Sequence, residues 1–378
     1  MTRGKMNNRQ LVVLMTTCLF SPMIRLLPRL NTAAAGRGAW ISVLLATIPT
    51  LLMVIFAHYV ISGKNRERTL GNMFCDAYGQ VGGNIVNMLM TLWLLIYSGM
   101  VIRTSSERLI STIFKQGDTM FFTIILLLLI IMVAVGRERT LAYMGQVVWY
   151  ILIPVLILVT VFALVDMSVD NLMPLDISEG MSYLKGTVPV ISVMSPWVYF
   201  LYFQTEGHRK MSLWGKMGRI SMALGIALMV TVTTVGVISP ELTEVLHDPF
   251  FSMIRTLNVF GVLERMESLV ISLWVLTDVI YLGGLLSICV SNIRNILGTR
   301  SIRWTAVFAA GAVMASSVLV AESASELSVA SDVVIPVVNM AVTYGVIPIS
   351  ALISHRKRSS VQPMLNGRGP AENPAIAE

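Results

Sequence analysis

Residues 10–30 read QLVVLMTTCLFSPMIRLLPRL, and residues 186–203 read GTVPVISVMSPWVYFLYF. Each run is apolar and has roughly the 20 residues that an α-helix needs to cross a bilayer. Each also contains a Ser-Pro pair near its middle, and proline removes a backbone donor and clashes with the preceding helical turn. Non-helical backbone at membrane depth is tolerated only inside protein or beside a cavity. The two pairs therefore predict two broken spans, with ordinary proline kinks as the alternative.

The rest of the chain has the composition of a membrane protein. Of its 378 residues, 55% are hydrophobic and 13% are charged, whereas a soluble domain carries about 25% charged residues. The mean hydropathy is +0.74. The predicted fold class is an all-α, polytopic membrane protein with one membrane domain over residues 1–355. Apolar runs bounded by charges or by Gly/Pro clusters predict ten spans, at residues 10–34, 39–61, 83–111, 119–136, 141–165, 186–205, 216–239, 268–296, 303–321 and 332–354.

Basic residues are distributed unevenly between the two sides of this topology. The N-terminus, the tail and the even-numbered connections with the adjoining span ends carry 19 lysines and arginines, whereas the odd-numbered connections with the adjoining span ends carry six. The positive-inside rule then places both termini in the cytoplasm. The same rule accounts for the formal charge of +7, so nucleic-acid binding is not predicted.

The ten spans divide into two sets of five, over residues 10–165 and 186–354, and each set starts with an interrupted span. Matched interruptions in two halves predict an inverted-repeat transporter fold with a site between spans 1 and 6. In the connection 240–267, the stretch PFFSMIRTLNVFGVL predicts either an amphipathic lid on the membrane surface or a solvated connector. Residues 356–378 are polar and contain Pro and Gly, so a disordered cytoplasmic tail is expected.

Five ionisable side chains, Arg25, Arg103, Glu107, Arg108 and Asp278, lie well inside predicted spans, where charges are costly and mark a pair or a pathway. Arg25 in span 1 and Asp278 in span 8 could neutralise one another, or Asp278 could titrate as a proton carrier with a pKa raised by desolvation. Both are candidates for coupling or gating. Arg103 and Glu107 in span 3 are four residues apart and can pair on one helix face.

Tyr97, Thr104 and Arg108 follow one stripe of span 3, at positions i, i+7 and i+11. A polar stripe in an apolar helix faces protein or water, so Tyr97 is a candidate cavity-lining residue, with buried packing as the alternative. Thr104 and Arg108 are further candidates for coupling or gating. Trp197 and Tyr199, just after the second interruption, allow the same two interpretations, and the aromatic belt at the membrane surface is a third.

The sequence contains no pattern typical of an enzyme or of a metal site. No H-E-x-x-H, G-x-S-x-G or P-loop motif is present. The three cysteines, Cys18, Cys75 and Cys289, are far apart and form no C-x-x-C pair. No enzymatic activity, cofactor or metal is therefore predicted.

Two longer stretches have an order of residues that is known from a protein family. Residues 24–46 read IRLLPRLNTAAAGRGAWISVLLA, and residues 248–274 read DPFFSMIRTLNVFGVLERMESLVISLW. The first resembles the L-P and A-G-x-x-A-W pattern of the endospore germination permeases. The second resembles the proline-led amphipathic segment of the same family, which leads into E-R-x-E and a Trp-bearing helix. The resemblance covers roughly residues 8–355.

The resemblance implies the B-type subunit of a nutrient germinant receptor, within the amino acid-polyamine-organocation transporter superfamily. Such subunits lie in the spore inner membrane with an A-type membrane subunit and a C-type lipoprotein, and they sense a small nutrient ligand. The family's ligand-binding features carry over to the first break at Ser21, Pro22 and Met23, to the second around Ser195, Pro196 and Trp197, and to Tyr97. The chain departs from the pattern at the first break, where F-S-P-M replaces the glycines that expose backbone N–H groups, and at Gly38, where an acidic residue is common. Both departures weaken the expectation of an amino acid ligand.

The predicted function is therefore nutrient sensing by a transporter-like membrane subunit. One alternative is a secondary transporter of the same fold, proton-coupled through Asp278. Another is a scaffold subunit that conducts water or ions and binds no germinant. All three use a cavity between the same spans, so the sequence does not separate them.

Overall fold

The computed structural model describes residues 6–61, 69–112, 117–173, 179–206, 212–257, 263–320 and 324–366. Several basic residues used in the prediction of orientation, Lys64, Arg66, Arg68, Arg209 and Lys210, lie outside these ranges. So do residues 367–378 at the end of the expected tail.

The described chain is helical, apart from short connections and two strands of two residues each. The helices are α1 (Asn8–Ala35), α2 (Ala39–Phe56), α3 (Leu70–Thr112), α4 (Thr119–Val135), α5 (Glu138–Asp166), α6 (Gly180–Met194), α7 (Leu213–Ile238), α8 (Pro240–Val245), α9 (Pro249–Thr256), α10 (Leu263–Leu297), α11 (Ile302–Leu319), α12 (Ala324–Val329), α13 (Ile335–Ala341) and α14 (Ile347–Asn366). A 3₁₀ segment, Ser195–Tyr202, continues α6, and π-helical turns occur at Ala57–Ile61, Ala330–Val334 and Val342–Val346. The strands β1 (Met6–Asn7) and β2 (Thr205–Glu206) pair in parallel.

The ten predicted spans are present in the described residues. Eight helical stretches there are long and apolar enough to cross a membrane, and the first of them, Asn8–Tyr59, contains both α1 and α2. A shorter apolar helix, Thr119–Val135, is α4 and supplies the remaining span. The last stretch, Glu326–Lys357, combines α12, α13 and α14 through two π-helical turns and is called span 10 below. The chain is therefore a polytopic membrane protein.

The ends of the helices meet on two opposite sides. On the side where α1 begins, β1 pairs with β2 in the α6–α7 connection, and Arg219 donates a hydrogen bond to the carbonyl of Arg9 at 2.7 Å. On the side where α1 ends, Arg37 donates to the carbonyl of Met173 at 3.1 Å. These contacts agree with the alternation of connections between the two sides that ten successive crossings require.

Helix packing follows a five-plus-five repeat. If each helix of the first half is matched to the one five spans later, α1 corresponds to α6, α2 to α7, α3 to α10, α4 to α11 and α5 to span 10. Contacts in one half then have an equivalent in the other. The contact of α2 with α6 corresponds to that of α7 with α1, and the contact of α3 with α11 corresponds to that of α10 with α4. The contact of α3 with α14, in span 10, corresponds to that of α10 with α5. Since five is odd, the second set begins on the opposite side of the membrane, and the repeat is inverted.

The two interruptions differ from one another. The second is a break in the α-helix: α6 ends at Met194, and the chain continues as 3₁₀ helix from Ser195. The first is not, because α1 is α-helical from Asn8 to Ala35 with Pro22 and Pro28 inside it. This corrects the prediction of a broken span 1. Every residue from Leu11 to Pro28 is buried, and packing by neighbouring helices can hold a helix together across a proline.

Two further segments differ from their predictions. The first part of the amphipathic stretch, Pro249–Thr256, forms α9, whose apolar side chains Phe250, Phe251, Met253 and Ile254 are buried against α1, α7 and α10. Residues 258–262 of the stretch lie outside the described ranges. The helix α9 is neither a surface lid nor a solvated connector, because neighbouring helices accept its apolar face. At the C-terminus, α14 reaches Asn366, so residues 356–366 of the expected disordered tail are helical.

Candidate functional site

A cavity of about 320 Å³ lies beside the second half of α1, within the range of small-molecule sites. It opens toward the side of the protein where α1 ends. Its walls come from α1, α3, the α8–α9 connection and the start of span 10, so both repeats contribute. The polar side chains of the wall are Arg25, Arg29, Thr104, Glu107, His247, Ser328, Ser331 and Asp332.

An ion pair joins α1 to span 10 at the edge of this cavity. The Arg29 guanidinium contacts the Asp332 carboxylate, and both side chains are largely buried. Arg29 also lies 3.4 Å from the His247 ring, measured from Nη1 to Nδ1. Asp332 lies in the π-helical turn Ala330–Val334, and π-turns are frequent at functional sites.

Arg25 lines the cavity one turn deeper and is 5% exposed. Its Nε and Nη1 atoms are buried and have no hydrogen-bond partner in the part of the chain that the structure describes. Asp278 on α10 is 1% exposed, and its Oδ2 accepts a hydrogen bond of 2.7 Å from Ser105. Its Oδ1 has no partner among the described residues. The two side chains do not form the ion pair that the sequence suggested.

The outer part of α3 carries two further arginines, both of which have acidic partners. Arg103 Nε lies 3.2 Å from Glu107 Oε1, which confirms the pair expected from the spacing. Arg108 Nε lies 3.2 Å from Asp248 Oδ1, and its guanidinium stacks on the Trp274 ring at 4.0 Å. Buried Arg108 thus ties α3 to the start of α9 and to α10.

A hydrogen-bonded cluster of aromatic side chains lies about 10 Å deeper along α3, since Tyr97 precedes Thr104 by seven residues at 1.5 Å each. The Tyr97 hydroxyl lies 2.7 Å from the Tyr281 hydroxyl of α10. Asn339 Oδ1 in α13 accepts hydrogen bonds from Trp93 Nε1 at 3.1 Å and from the Tyr199 hydroxyl at 2.7 Å. The cluster therefore connects α3, α10, span 10 and the 3₁₀ segment.

The 3₁₀ segment is held against span 10 at its first residue. The Ser195 carbonyl accepts a hydrogen bond of 3.3 Å from Thr343 Oγ1, in the π-helical turn Val342–Val346. Ser195, Pro196 and Trp197 are all buried, and Trp197 Nε1 has no partner among the described residues. The 3₁₀ segment of span 6 therefore packs against a π-helical turn of span 10.

The structure brings some of the predicted site residues to the cavity and places others elsewhere. Arg25 and Thr104 line the cavity, whereas Tyr97 and Tyr199 belong to the aromatic cluster beneath it. Asp278 and Arg108 lie at the α3–α10 contact. The residues of the first interruption, Ser21, Pro22 and Met23, are buried inside α1 and are not among the cavity-lining residues.

Sequence reasoning missed part of both groups. From the cavity it missed Arg29, Glu107, His247, Ser328, Ser331 and Asp332 as site residues, and from the cluster it missed Trp93, Tyr281 and Asn339. A signal for one of them exists: Asn339 is an isolated amide in the apolar stretch IPVVNMA, where a polar side chain faces protein. Glu107 was recognised only as the partner of Arg103, and the other cavity residues carried no such signal because they lie at the ends of spans or between them.

The chain is similar to several known proteins. The sequence profile of a family described as "Spore germination protein" matches residues 5–325. YfkT of Bacillus subtilis (strain 168), named provisionally as a spore germination protein, is 24% identical over 272 residues, which cover 70% of this chain and 72% of YfkT. A crystal structure of a manganese transporter from Eremococcus coleocola aligns with a TM-score of 0.49 at 12% identity, over 96% of this chain and 89% of that one. Since the profile covers most of the chain, this membrane protein belongs to the spore germination protein family.

Proposed function

We propose that the protein is the nutrient-sensing membrane subunit of a spore germination receptor. The observation that carries the proposal is the cavity of about 320 Å³ whose walls come from both repeats. A molecule bound between α1, α3 and span 10 contacts elements that can move relative to one another. It stabilises whichever arrangement it fits best and so shifts the conformational equilibrium.

The contacts beneath the cavity support a route for that signal. Thr104 lines the cavity and lies 3.5 Å from Ser331, measured between the hydroxyl oxygens. Further along the same helix, Trp93 and Tyr97 connect α3 to span 10 and to α10. A change in the spacing of α3 and span 10 at the cavity therefore reaches the 3₁₀ segment through the aromatic cluster.

Membership in the family supports the setting that we propose for this function. In the proposed receptor, the protein lies in the spore inner membrane with both termini in the cytoplasm. An A-type membrane subunit and a C-type lipoprotein are its partners and receive the conformational signal. The exposed apolar faces of its helices contact membrane lipid.

The test compares two threonine substitutions in spores whose copy of this protein is replaced. Thr104 and Thr160 each donate a hydrogen bond of 2.8 Å from Oγ1 to the carbonyl four residues earlier, and only Thr104 lines the cavity. Both isoleucine variants lose that bond and gain bulk, so Thr160→Ile in α5 is a matched control. Germination is scored against amino acids, sugars and nucleosides at equal protein levels.

Thr104→Ile is expected to raise the nutrient concentration for half-maximal germination by about tenfold, which corresponds to 1.4 kcal/mol of lost binding. Thr160→Ile should respond like the wild type. An unchanged nutrient concentration and preference in Thr104→Ile, with at most a slower response, would contradict the proposal. It would leave this subunit as a scaffold or a conduit for water or ions.

One observation favours a second candidate function, secondary transport coupled to protons. Asp278 is buried, and its Oδ1 has no partner among the described residues; acidic side chains inside membrane spans mark ion and proton pathways. This function predicts that proteoliposomes accumulate a solute when a proton gradient is imposed. Asp278→Asn should abolish the accumulation, whereas absence of accumulation in the wild type would refute it.

A further inference from the structure

We propose that Arg25 is the ligand-recognition residue of the cavity and that the ligand it recognises carries a carboxylate. The inference rests on the proposed function, because it concerns the same cavity. It names the chemical class of the bound molecule and the group that binds it.

The first argument is the state of the Arg25 side chain. It lines the cavity, is 5% exposed, and has two buried donors, Nε and Nη1, without partners in the described part of the chain. A buried charge is costly unless it is paired and hydrogen-bonded. A carboxylate binds a guanidinium through Nε and Nη2 on one side or through Nη1 and Nη2 at its end, so each of the two unsatisfied atoms of Arg25 can take part in such a contact. The unsatisfied donors of Arg25 therefore define a site for such a group.

The second argument is that the neighbouring arginines already have acidic partners. Arg29 contacts Asp332, Arg103 pairs with Glu107, and Arg108 pairs with Asp248. Asp278 is not within the 4.0 Å ion-pair distance of Arg25 in the described structure and is hydrogen-bonded to Ser105 instead. Within the described residues, Arg25 is thus the cavity cation whose donors are left for a ligand.

The third argument concerns the charge of that ligand. The cavity wall also carries the carboxylates of Glu107 and Asp332. Both are paired with arginines, Glu107 with Arg103 and Asp332 with Arg29, so Arg25 supplies the positive charge of the described wall that has no counter-charge. One guanidinium neutralises a single carboxylate but not a dianion such as phosphate. The cavity therefore favours a monocarboxylate over a phosphorylated compound.

The fourth argument is the conformation of α1. This helix is α-helical through Ser21 and Pro22, so its backbone N–H groups at this depth point to carbonyls within the helix and not into a break. The sequence lacks glycines there, and the structure has no exposed backbone at that position within α1. A side-chain cation one turn further on replaces the backbone donors as the binding group for a carboxylate.

The experiment measures thermal stabilisation of the full-length protein, purified with its co-purifying partners, by pairs of probes that differ only in the acid group. The probes are L-alanine and L-alaninamide, L-leucine and L-leucinamide, and lactate and lactamide; glucose, inosine and inorganic phosphate complete the panel. The variants are Arg25→Gln and Arg25→Lys. Arg139→Gln is the control, because Arg139 lies over Tyr143 on α5 and does not line the cavity.

The expected result is that at least one acid binds ten times or more tightly than its amide. Arg25→Gln should abolish that preference, Arg25→Lys should retain it at weaker affinity, and Arg139→Gln should leave it unchanged. Arg25→Gln removes a buried unpaired charge, so it is expected to fold. If the glutamine variant does not fold, Arg25→Lys, which keeps the charge, supplies the test.

Other results would overturn the inference and separate it from the proposed function. If glucose, inosine or an amide binds as tightly as any acid and Arg25→Gln keeps that binding, the cavity senses a nutrient but Arg25 does not recognise a carboxylate. Binding of phosphate in preference to every carboxylate would likewise refute the stated ligand class. If no probe stabilises the wild type, both the inference and the proposed function fail.

Discussion

Substitution of Gly99 by alanine should destabilise the protein strongly, because α3 and α11 approach one another closely at this residue. A Cβ atom at Gly99 would lie 1.9 Å from Ser316 Oγ and 2.8 Å from both Ser317 N and the Val313 carbonyl oxygen. The serine side chain can rotate away, but the two backbone atoms cannot. The helices would have to separate by about 0.7–1 Å to restore an ordinary contact of 3.5 Å or more.

The cost has two parts. Overpacking of a well-packed interior costs about 1–3 kcal/mol. Rotation of Ser316 also breaks its hydrogen bond of 3.2 Å to the Leu95 carbonyl, and such bonds contribute about 0.5–1.5 kcal/mol. We therefore expect Gly99→Ala to lower the free energy of unfolding by about 2–4 kcal/mol. Gly225→Ala is the matched control, since Gly225 lies inside α7 and a Cβ there has no neighbour within 4 Å.

The assay is the temperature at which half of the purified protein in detergent loses its monodisperse peak on size-exclusion chromatography. Gly99→Ala should lose it at a clearly lower temperature than the wild type. Gly225→Ala should match or exceed the wild type, because alanine favours a helix over glycine by about 1 kcal/mol. Equal behaviour of the two alanine variants would refute the close approach of α3 and α11 on which the reasoning depends.

Two other substitutions test the buried polar contacts. Asn339→Ala removes the acceptor shared by Trp93 and Tyr199, whereas Tyr199→Phe removes only one of the two donors. Asn339→Ala should therefore lower the same transition temperature more than Tyr199→Phe does. A larger decrease in Tyr199→Phe would contradict the shared acceptor. Arg108→Lys keeps the charge but loses the planar stack on Trp274, and its stability should fall between those of the wild type and Arg108→Met. Equal stability of the lysine variant and the wild type would show that the stack contributes nothing.

The membrane topology could be predicted from the sequence because it depends on local properties. Apolar length alone defines a span, and all ten predicted spans correspond to helices in the described residues. The ion pair of Arg103 and Glu107 was predictable for the same reason, since a spacing of four residues on a helix fixes the distance between side chains.

The features that sequence reasoning missed depend on neighbours that are distant in the chain. A Ser-Pro pair does not tell whether a helix breaks, because the packing around it decides; α1 is buried along its length and stays helical, whereas α6 changes to 3₁₀ geometry. The amphipathic pattern of α9 fits a membrane surface and a protein surface equally well. The contact of Tyr97 with Tyr281 joins residues 184 positions apart, and no local pattern encodes it.

The 3₁₀ segment makes the length of span 6 adjustable. Its eight residues, Ser195–Tyr202, advance about 2.0 Å each, whereas an α-helix advances about 1.5 Å per residue, so rewinding them as α-helix would shorten the span by about 4 Å. The twist per residue would fall from about 120° to about 100° at the same time, which would turn Tyr199 out of its bond with Asn339. Thr343 holds the start of the segment through the Ser195 carbonyl, so its far end at Tyr202 would travel. A change between 3₁₀ and α-helical winding in span 6 would therefore move its Tyr202 end along the helix axis.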